Sequence, residues 1–275
     1  MLALLLLCTV LAGCSSATAH TRSSTSAGAP TATAPAFCRQ QHPAVDCVVA
    51  EHGRFTVAIT TPLSAAARKV GVAIGADLTR SLHRIAALLP GPHTDILLYA
   101  SAKGTFTGLH VGGYTAPNGQ VDIPVDTRQS PPALRTTLRR WLRVALSHET
   151  DHSVRAQAGP GLGPTLLDLV ISEGMSSAFD LEVQPDIRLP WTHALGRQQE
   201  RRLWAHMRPL LGQVGGTTGL YHHWFFGAAG IPPGTGFQIG YHIVRDYLTR
   251  HPRRTAASLV DEQATEIFAG SHYRP

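Results

Sequence analysis

Apolar and polar positions alternate over residues 54–60 (RFTVAIT), which predicts a strand. Pro62 and Ser64 follow, Ser64 being a residue type suited to a helix N-cap. Val70, Ile74, Leu78, Leu82, Ile85 and Leu89 then recur at spacings of three and four. They predict one amphipathic helix that stops at Pro90-Gly91-Pro92. Residues 95–100 (DILLYA) form a short apolar run, expected to be a strand buried on both faces. Residues 104–119 are rich in Gly and Thr and end in a tight turn at Asn118-Gly119. Residues 120–125 (QVDIPV) alternate again, and Pro124 points to an edge strand because it cannot donate to a ladder.

Beyond Pro131-Pro132 the period changes from two to that of a helix. Leu134, Leu138, Trp141, Ala145, His148 and His152 share one stripe, broken at 159–163 by three glycines. Thr165 opens another helix, with Asp168 three residues on as a loose capping box and Leu166, Leu169, Val170 and Glu173 on its inner face. Helical patterning returns over 188–212, 237–247 and 256–268, around a loop-rich, aromatic stretch at 215–236. No internal repeat is present. The order implies an α+β fold: a small N-terminal mixed sheet with a helix, packed on a mostly helical C-terminal lobe.

The N-terminus changes the domain picture. Residues 1–10 are nearly all apolar and run into Leu11-Ala12-Gly13-Cys14, an export signal too short to span a bilayer. Leu-Ala-Gly-Cys resembles a bacterial lipobox, which implies lipidation of Cys14 and an extracytoplasmic protein held at the cell membrane by its acyl chains. No Lys or Arg precedes the apolar run, a departure from that pattern; the other reading is a simple cleaved signal with Cys14 incidental. Residues 15–36, almost entirely Ser, Thr, Ala, Pro and Gly, read as a flexible linker. This leaves 37–275 as one folded domain. Cys38 and Cys47 are the thiols that remain outside the leader, and outside the cytoplasm they are expected to pair; two free thiols are the alternative. Hydrophobic content of 43% against 15% charged residues suits a packed globule rather than disorder. The net charge of +6, behind an export signal, favours an anionic membrane surface over nucleic acid. The pairs Arg139-Arg140, Arg201-Arg202 and Arg253-Arg254 read as solvated helix faces.

His148-Glu149-Thr150-Asp151-His152 carries the chemistry. Residues four apart on a helix are rotated by about 40° and lie roughly 6 Å apart along the axis, so two imidazoles can converge on one Zn²⁺. The Glu between them projects beside the metal, the place of a general base. Glu173, on the inner face of a second helix, completes a His₂Glu set of three ligands, the composition of a catalytic rather than a closed structural zinc site. Asp151 is expected to face outward or cap a neighbour.

On these residues the chain resembles the gluzincin (thermolysin-like) class of zinc metallopeptidases, and more closely a bacterial family of predicted zinc-dependent proteases. The stretches that carry the resemblance are LSHETDH, LLDLVISEGMSSAFD and GFQIGYHIVRDYL, within residues 146–248. The resemblance implies a zincin-like fold with the HExxH helix between the two lobes. It also implies zinc held by His148, His152 and Glu173, with Glu149 as base for hydrolysis of a peptide or protein substrate. QVDIPV resembles the edge strand that gluzincins offer to an extended substrate. Where that class carries an Asp four residues after the ligand Glu, this chain has Ser177; Asp180 and Asp168 remain as partners for a ligand His. A donor to the developing oxyanion is expected among Tyr221, His222, His223, Tyr241 and His242, with Tyr241 first. The alternative function is a catalytically idle lipoprotein of the same fold that binds peptides or a partner protein.

Overall fold

The alternation read over 54–60 becomes a strand in which all six residues are buried, and a five-stranded sheet assembles around it. The computed structural model describes residues 34–41, 45–215, 219–228 and 230–275. The expected export signal, Cys14 and the linker up to residue 33 lie outside the described residues. The first described helix, α1 (Ala36–Gln40), leads to β1 (Val45–Ala50), β2 (Phe55–Thr60), α2 (Thr61–Lys69), α3 (Ile74–Leu88), β3 (Thr94–Ala100), β4 (Tyr114–Thr115) and β5 (Val121–Val125). The helical part follows as α4 (Pro131–Thr136), α5 (Leu142–Ala158), α6 (Leu166–Val183), α7 (Arg197–Met207), the single turn α8 (Leu220–His222), α9 (Thr235–Arg250) and α10 (Ala264–Ser271). The fold is α+β, a mixed sheet followed by a mostly helical region. No helix among the described residues is long and apolar enough to cross a membrane.

The strand order is β1-β2-β3-β5-β4. β2, β3 and β5 run parallel, while β1 and β4 close the two sides antiparallel. A parallel neighbour requires a crossover, and α2 and α3 supply it between β2 and β3. The single helix expected from the Ser64 cap to Leu89 is therefore two. Gly71 adopts φ of +69°, a conformation open to glycine that ends one helix and lets the next start at Ile74. Ser64, expected as an N-cap, lies buried inside α2 instead. β3 alternates between buried and half-buried residues, so it is covered on one face rather than both. QVDIPV is not the edge strand. β5 pairs with β3 on one side and β4 on the other, and two-residue β4 forms the edge. Pro124 is tolerated because β4 itself pairs only with Val121 and Asp122, and beyond it Pro124 acts as an acceptor, its carbonyl taking the Gly112 amide (3.1 Å). The helical pattern over 188–212 resolves into a 3₁₀ turn at Pro190–His193 and α7, and that over 256–268 into a 3₁₀ turn at Ala257–Leu259 and α10.

Helix α5 sits between sheet and helices, packed on β4, β5 and α3 on one side and α6 on the other. Polar links fix its height against the sheet. Ser153 Oγ donates to the Gly119 carbonyl (2.6 Å) and lies 3.1 Å from Thr94 Oγ1, and Gln157 Nε2 donates to the His93 carbonyl (3.1 Å). A π-helical turn, Thr137–Trp141, joins α4 to α5 without a break in the rod. One apolar core runs through the whole of this, from Val57, Ile59 and Ile96 in the sheet to Leu146 and Val154 of α5, Val170 and Met175 of α6, and Ile239 and Ile243 of α9. Burying each such side chain contributes roughly 1.5–3 kcal/mol, so the two helices that carry the chemistry are held by the same packing as the sheet. Cys38 of α1 and Cys47 of β1 form a disulfide, with Cα atoms 6.0 Å apart, at the start of the domain.

Candidate metal centre

His148, Glu149 and His152 lie on α5, and Glu173 lies on α6. The start of α6 is fixed by a complete capping box: Thr165 Oγ1 accepts from the Asp168 amide (3.2 Å) while Asp168 Oδ2 accepts from the Thr165 amide (3.0 Å). That use of Asp168 removes it from the candidates for orienting a histidine. Eight residues into the helix, the Glu173 carboxylate reaches across to α5. Its Oε2 lies 3.0 Å from His148 Nε2 and 3.5 Å from His152 Nε2. One donor atom from each of these three residues falls within 4.8 Å of the others, and all three side chains are nearly withdrawn from solvent.

The remaining atoms of the donors are engaged elsewhere, which aims the free ones inward. His148 Nδ1 faces Asp180 Oδ2 at 3.0 Å, and Asp180 Oδ1 accepts from Ser147 Oγ. His152 Nδ1 faces the hydroxyls of Ser172 (3.1 Å) and Ser176 (3.2 Å). Ser176 also donates to Asp151 Oδ2 (2.8 Å), so Asp151 is fully buried between α5 and α6 and not on the outer face expected for it. The second oxygen of Glu173, Oε1, accepts from Tyr221 Oη at 2.7 Å. Each imidazole thus presents Nε2, and the carboxylate presents Oε2, to one shared point. Four-coordinate zinc at 2.0–2.1 Å sets its ligand atoms about 3.3 Å apart. The two spacings made by Glu173, 3.0 and 3.5 Å, fit that figure, all three donor atoms lie within 4.8 Å of one another, and two imidazoles with a carboxylate suit such an ion in chemistry.

Glu149 is buried beside this cluster. Its Oε2 accepts from Thr115 Oγ1 (2.7 Å), and the same hydroxyl donates to the Glu149 backbone carbonyl (3.1 Å), which ties the residue to β4. Gly113 is in contact with its carboxylate; a Cβ at that position would occupy the space of Oε1. Charge and burial compete at every group here. Burial alone would lower the His148 pKa, but the Asp180 and Glu173 carboxylates lift it well above the usual value. Burial would likewise lower His152, and Glu173 raises it. Glu173 itself would be raised by burial; the two imidazoles hold it well below the usual carboxylate range. For Glu149 burial wins over both histidines and the Thr115 hydrogen bond, and its pKa is raised. Burial also raises Asp151, to about 6.

Of the five residues expected to include an oxyanion donor, the structure brings Tyr221 to the cluster. Burial and the Glu173 carboxylate raise its pKa well above 10, so its hydroxyl is a persistent donor. Tyr241, the first choice, makes no hydrogen bond to the cluster; it is half-buried beside Arg245, and burial raises its pKa against the opposing pull of that guanidinium. His242 is bonded through Nδ1 to Glu200 (2.6 Å), and His222 and His223 are exposed. Tyr221 lay in the aromatic stretch, where no period marked its direction; the one signal was its residue type. Trp191 stands edge-on to His148 and donates from Nε1 to Ser177 Oγ (3.0 Å), so Ser177 holds the wall of the site, not a ligand. Phe225 stacks on Tyr221 with centroids 4.5 Å apart, and Phe237 meets Phe225 edge-on. Apolar rings therefore surround the cluster, which strengthens every electrostatic interaction within it.

Residues 77–269, more than half of the chain, match a family model described as Predicted Zn-dependent protease (DUF2268). Among solved structures, an aminopeptidase N family protein from Idiomarina loihiensis is similar at 15% identity and a TM-score of 0.44. The similarity covers 81% of this chain and 40% of that one, so the chain spans well under two thirds of that protein's length. No curated protein matches the sequence.

Proposed function

The chain belongs to this family of predicted zinc-dependent proteases, and on that premise we propose that it is a zinc metallopeptidase, hydrolysing peptide bonds outside the cytoplasm while tethered to the membrane through lipidated Cys14. The observation that carries the reading is the convergence of His148 Nε2, His152 Nε2 and Glu173 Oε2 on one point, with the Glu149 carboxylate buried beside them. Those three residues would hold Zn²⁺, and the ion would supply Lewis-acid polarisation of the scissile carbonyl and acidification of the attacking water.

The chain's own residues supply the rest. Glu149 takes a proton from water at Oε1, the oxygen that Thr115 does not engage, and returns it to the departing amine as the amide C–N bond breaks. Thr115 fixes the carboxylate beside the three residues that would hold the ion. Asp180 holds the His148 ring in one orientation and one tautomer. The Tyr221 hydroxyl donates its single proton to Glu173 Oε1, and by turning away from that oxygen it would become the donor to the one on which negative charge develops. Burial of Glu149 also speaks against the idle binder, because an ionisable group with no task at this depth is a cost that an apolar side chain would avoid.

The test is metal analysis and peptide hydrolysis on the same preparation. Wild type should hold one zinc per chain and cleave an unstructured protein substrate. Glu149→Gln should keep the zinc and lose at least about 10²-fold in kcat. Tyr221→Phe should also keep it and lose about 10²–10³-fold. Hydrolysis that survives Glu149→Gln removes the base from the mechanism; zinc binding with no hydrolysis by wild type favours the idle binder.

A further inference from the structure

Four arginines from two helices surround a cavity of about 390 Å³ that the metallopeptidase reading does not use. It is lined by Arg80 and Arg84 of α3, Arg139 and Arg143 of the π turn and α5, and Asp77, over a floor of Ser81, Val183 and Gln184. Each arginine pair is spaced four residues apart on its helix, and α3 packs against α5, so the two pairs face one another. The floor residues are buried and the four guanidiniums are exposed at the rim.

The charge is unbalanced. Arg80 pairs with Asp77, the single carboxylate of the lining, and Arg139 reaches only the Gly71 carbonyl at 3.5 Å. Arg84 and Arg143 have no hydrogen bond or ion pair among the described residues. Glu182, next to the floor on α6, is turned to other work: its two oxygens accept from the backbone amides of Ala256 (2.5 Å) and Ala257 (3.2 Å). Like charges gathered around a concavity repel one another unless an anion enters. A lone carboxylate would satisfy one guanidinium fork. Several forks converging from two sides suit a multiply charged tetrahedral anion with oxygens on every side. The volume lies within the range of small-molecule sites and exceeds what an inorganic phosphate fills.

We propose that this cavity binds a phosphate-bearing ligand, a phosphate ester of headgroup or nucleotide size, through Arg84 and Arg143 with support from Arg80 and Arg139. The site is separate from the candidate metal centre. Between them stand Gln184, whose Nε2 donates to Ser147 Oγ (3.5 Å), then Ser147 and Asp180, behind which lies His148. The inference stands whether or not the metal centre is a peptidase site.

The ligand chemistry has two sources, a soluble phosphate compound or a phospholipid headgroup, and the experiment separates them. On full-length protein carrying Cys14→Ser, so that no acyl chain contributes, inorganic pyrophosphate binding is measured by titration calorimetry. Sedimentation with phosphatidylcholine vesicles, with and without phosphatidylglycerol, is measured beside it. Arg84→Gln with Arg143→Gln changes two exposed side chains that bond to nothing, so the fold is retained and circular dichroism checks it. The double variant should weaken pyrophosphate binding by about tenfold or more if the source is soluble. It should abolish the phosphatidylglycerol-dependent sedimentation if the source is a lipid. Arg201→Gln with Arg208→Gln, at a different basic surface, should change neither. Equal binding by wild type and the Arg84/Arg143 variant in both assays overturns the proposal. So does an equal loss in the Arg201/Arg208 variant, which would reduce the effect to net charge.

Discussion

Glu173 and Asp180 are seven residues apart on α6, two turns along one face, and they grip the same imidazole from opposite sides. Glu173 Oε2 meets His148 Nε2 and Asp180 Oδ2 meets Nδ1, each at 3.0 Å. The division of labour follows from position: Glu173 shares its oxygen with a second imidazole, whereas Asp180 sees only His148 and Ser147 and serves to orient. Asp180→Asn keeps the size and one hydrogen-bonding oxygen but removes the charge. Zinc affinity, measured by competition with a chromophoric chelator, should fall by about 10–100-fold while the unfolding temperature stays near that of wild type. An unchanged affinity would mean that the Asp180 contact is incidental packing. At this scale the sequence was informative where helical periodicity converts spacing into direction. His148, His152 and Glu173 could be placed on inward faces because each sits in phase with apolar neighbours. Asp151 escaped because α5 is wrapped on nearly every side, so a polar residue off the apolar stripe is still buried. Tyr221 was one of five candidates but could not be singled out, because its contact spans 48 residues from a stretch without period.

Between elements, the site depends on how closely α6 and α9 approach. A Cβ on Gly240 would run into the Val170 carbonyl oxygen, and one on Gly174 would run into the Gly240 carbonyl. The two glycines face each other where the helices cross, and Gly174 directly follows Glu173. Gly240→Ala raises intrinsic helix propensity, which alone would stabilise α9 by up to about 1 kcal/mol. The collision is with backbone, which cannot rotate away, so overpacking should prevail. A net loss of about 1–3 kcal/mol is expected, read as a lower urea midpoint at unchanged slope. Because the shift falls on the turn that carries Glu173, zinc affinity should drop in the same variant. A midpoint equal to or above that of wild type would show that the helices have room to separate. The sequence pattern supplied both helices as buried segments but not their crossing, since ridge-and-groove contacts between distant segments leave no local period. The same limit explains the strands. β2 and β3 were legible from alternation and apolar runs, whereas β4 is two residues long and exists only through its pairing with β5. The break between α2 and α3 was missed because the apolar phase continues across Gly71.

Across the whole molecule, a further buried carboxylate, away from the metal centre, ties Tyr273 to the helical body. Glu200 of α7 accepts from Tyr273 Oη (2.6 Å) and Gln238 Nε2 (3.0 Å) and pairs with His242 Nδ1 (2.6 Å) of α9, while Gln238 Oε1 accepts from the Leu195 amide (2.7 Å). Burial would raise the Glu200 pKa, but the hydrogen bonds from His242 and Tyr273 outweigh it and the value is held below the ordinary 4.5. The unfolded chain, with Glu200 at its ordinary value, therefore binds more protons than the folded chain as pH falls below about 4.5. Stability from this group is complete above that pH and is lost as the pH drops through the depressed folded value. Glu173 is depressed as well, so wild type alone cannot assign an acid transition to either carboxylate. Glu200→Gln separates them, because it leaves the metal centre intact and deletes only this proton uptake. Its unfolding temperature should be lower than that of wild type at neutral pH and converge on it as the pH falls below about 4.5, the ordinary value from which the folded carboxyl is depressed. Parallel curves through that fall in pH would show that Glu200 stays ionised in neither state or in both, and that Tyr273 docks by packing against Trp204, at 5.1 Å between ring centroids, rather than by charge.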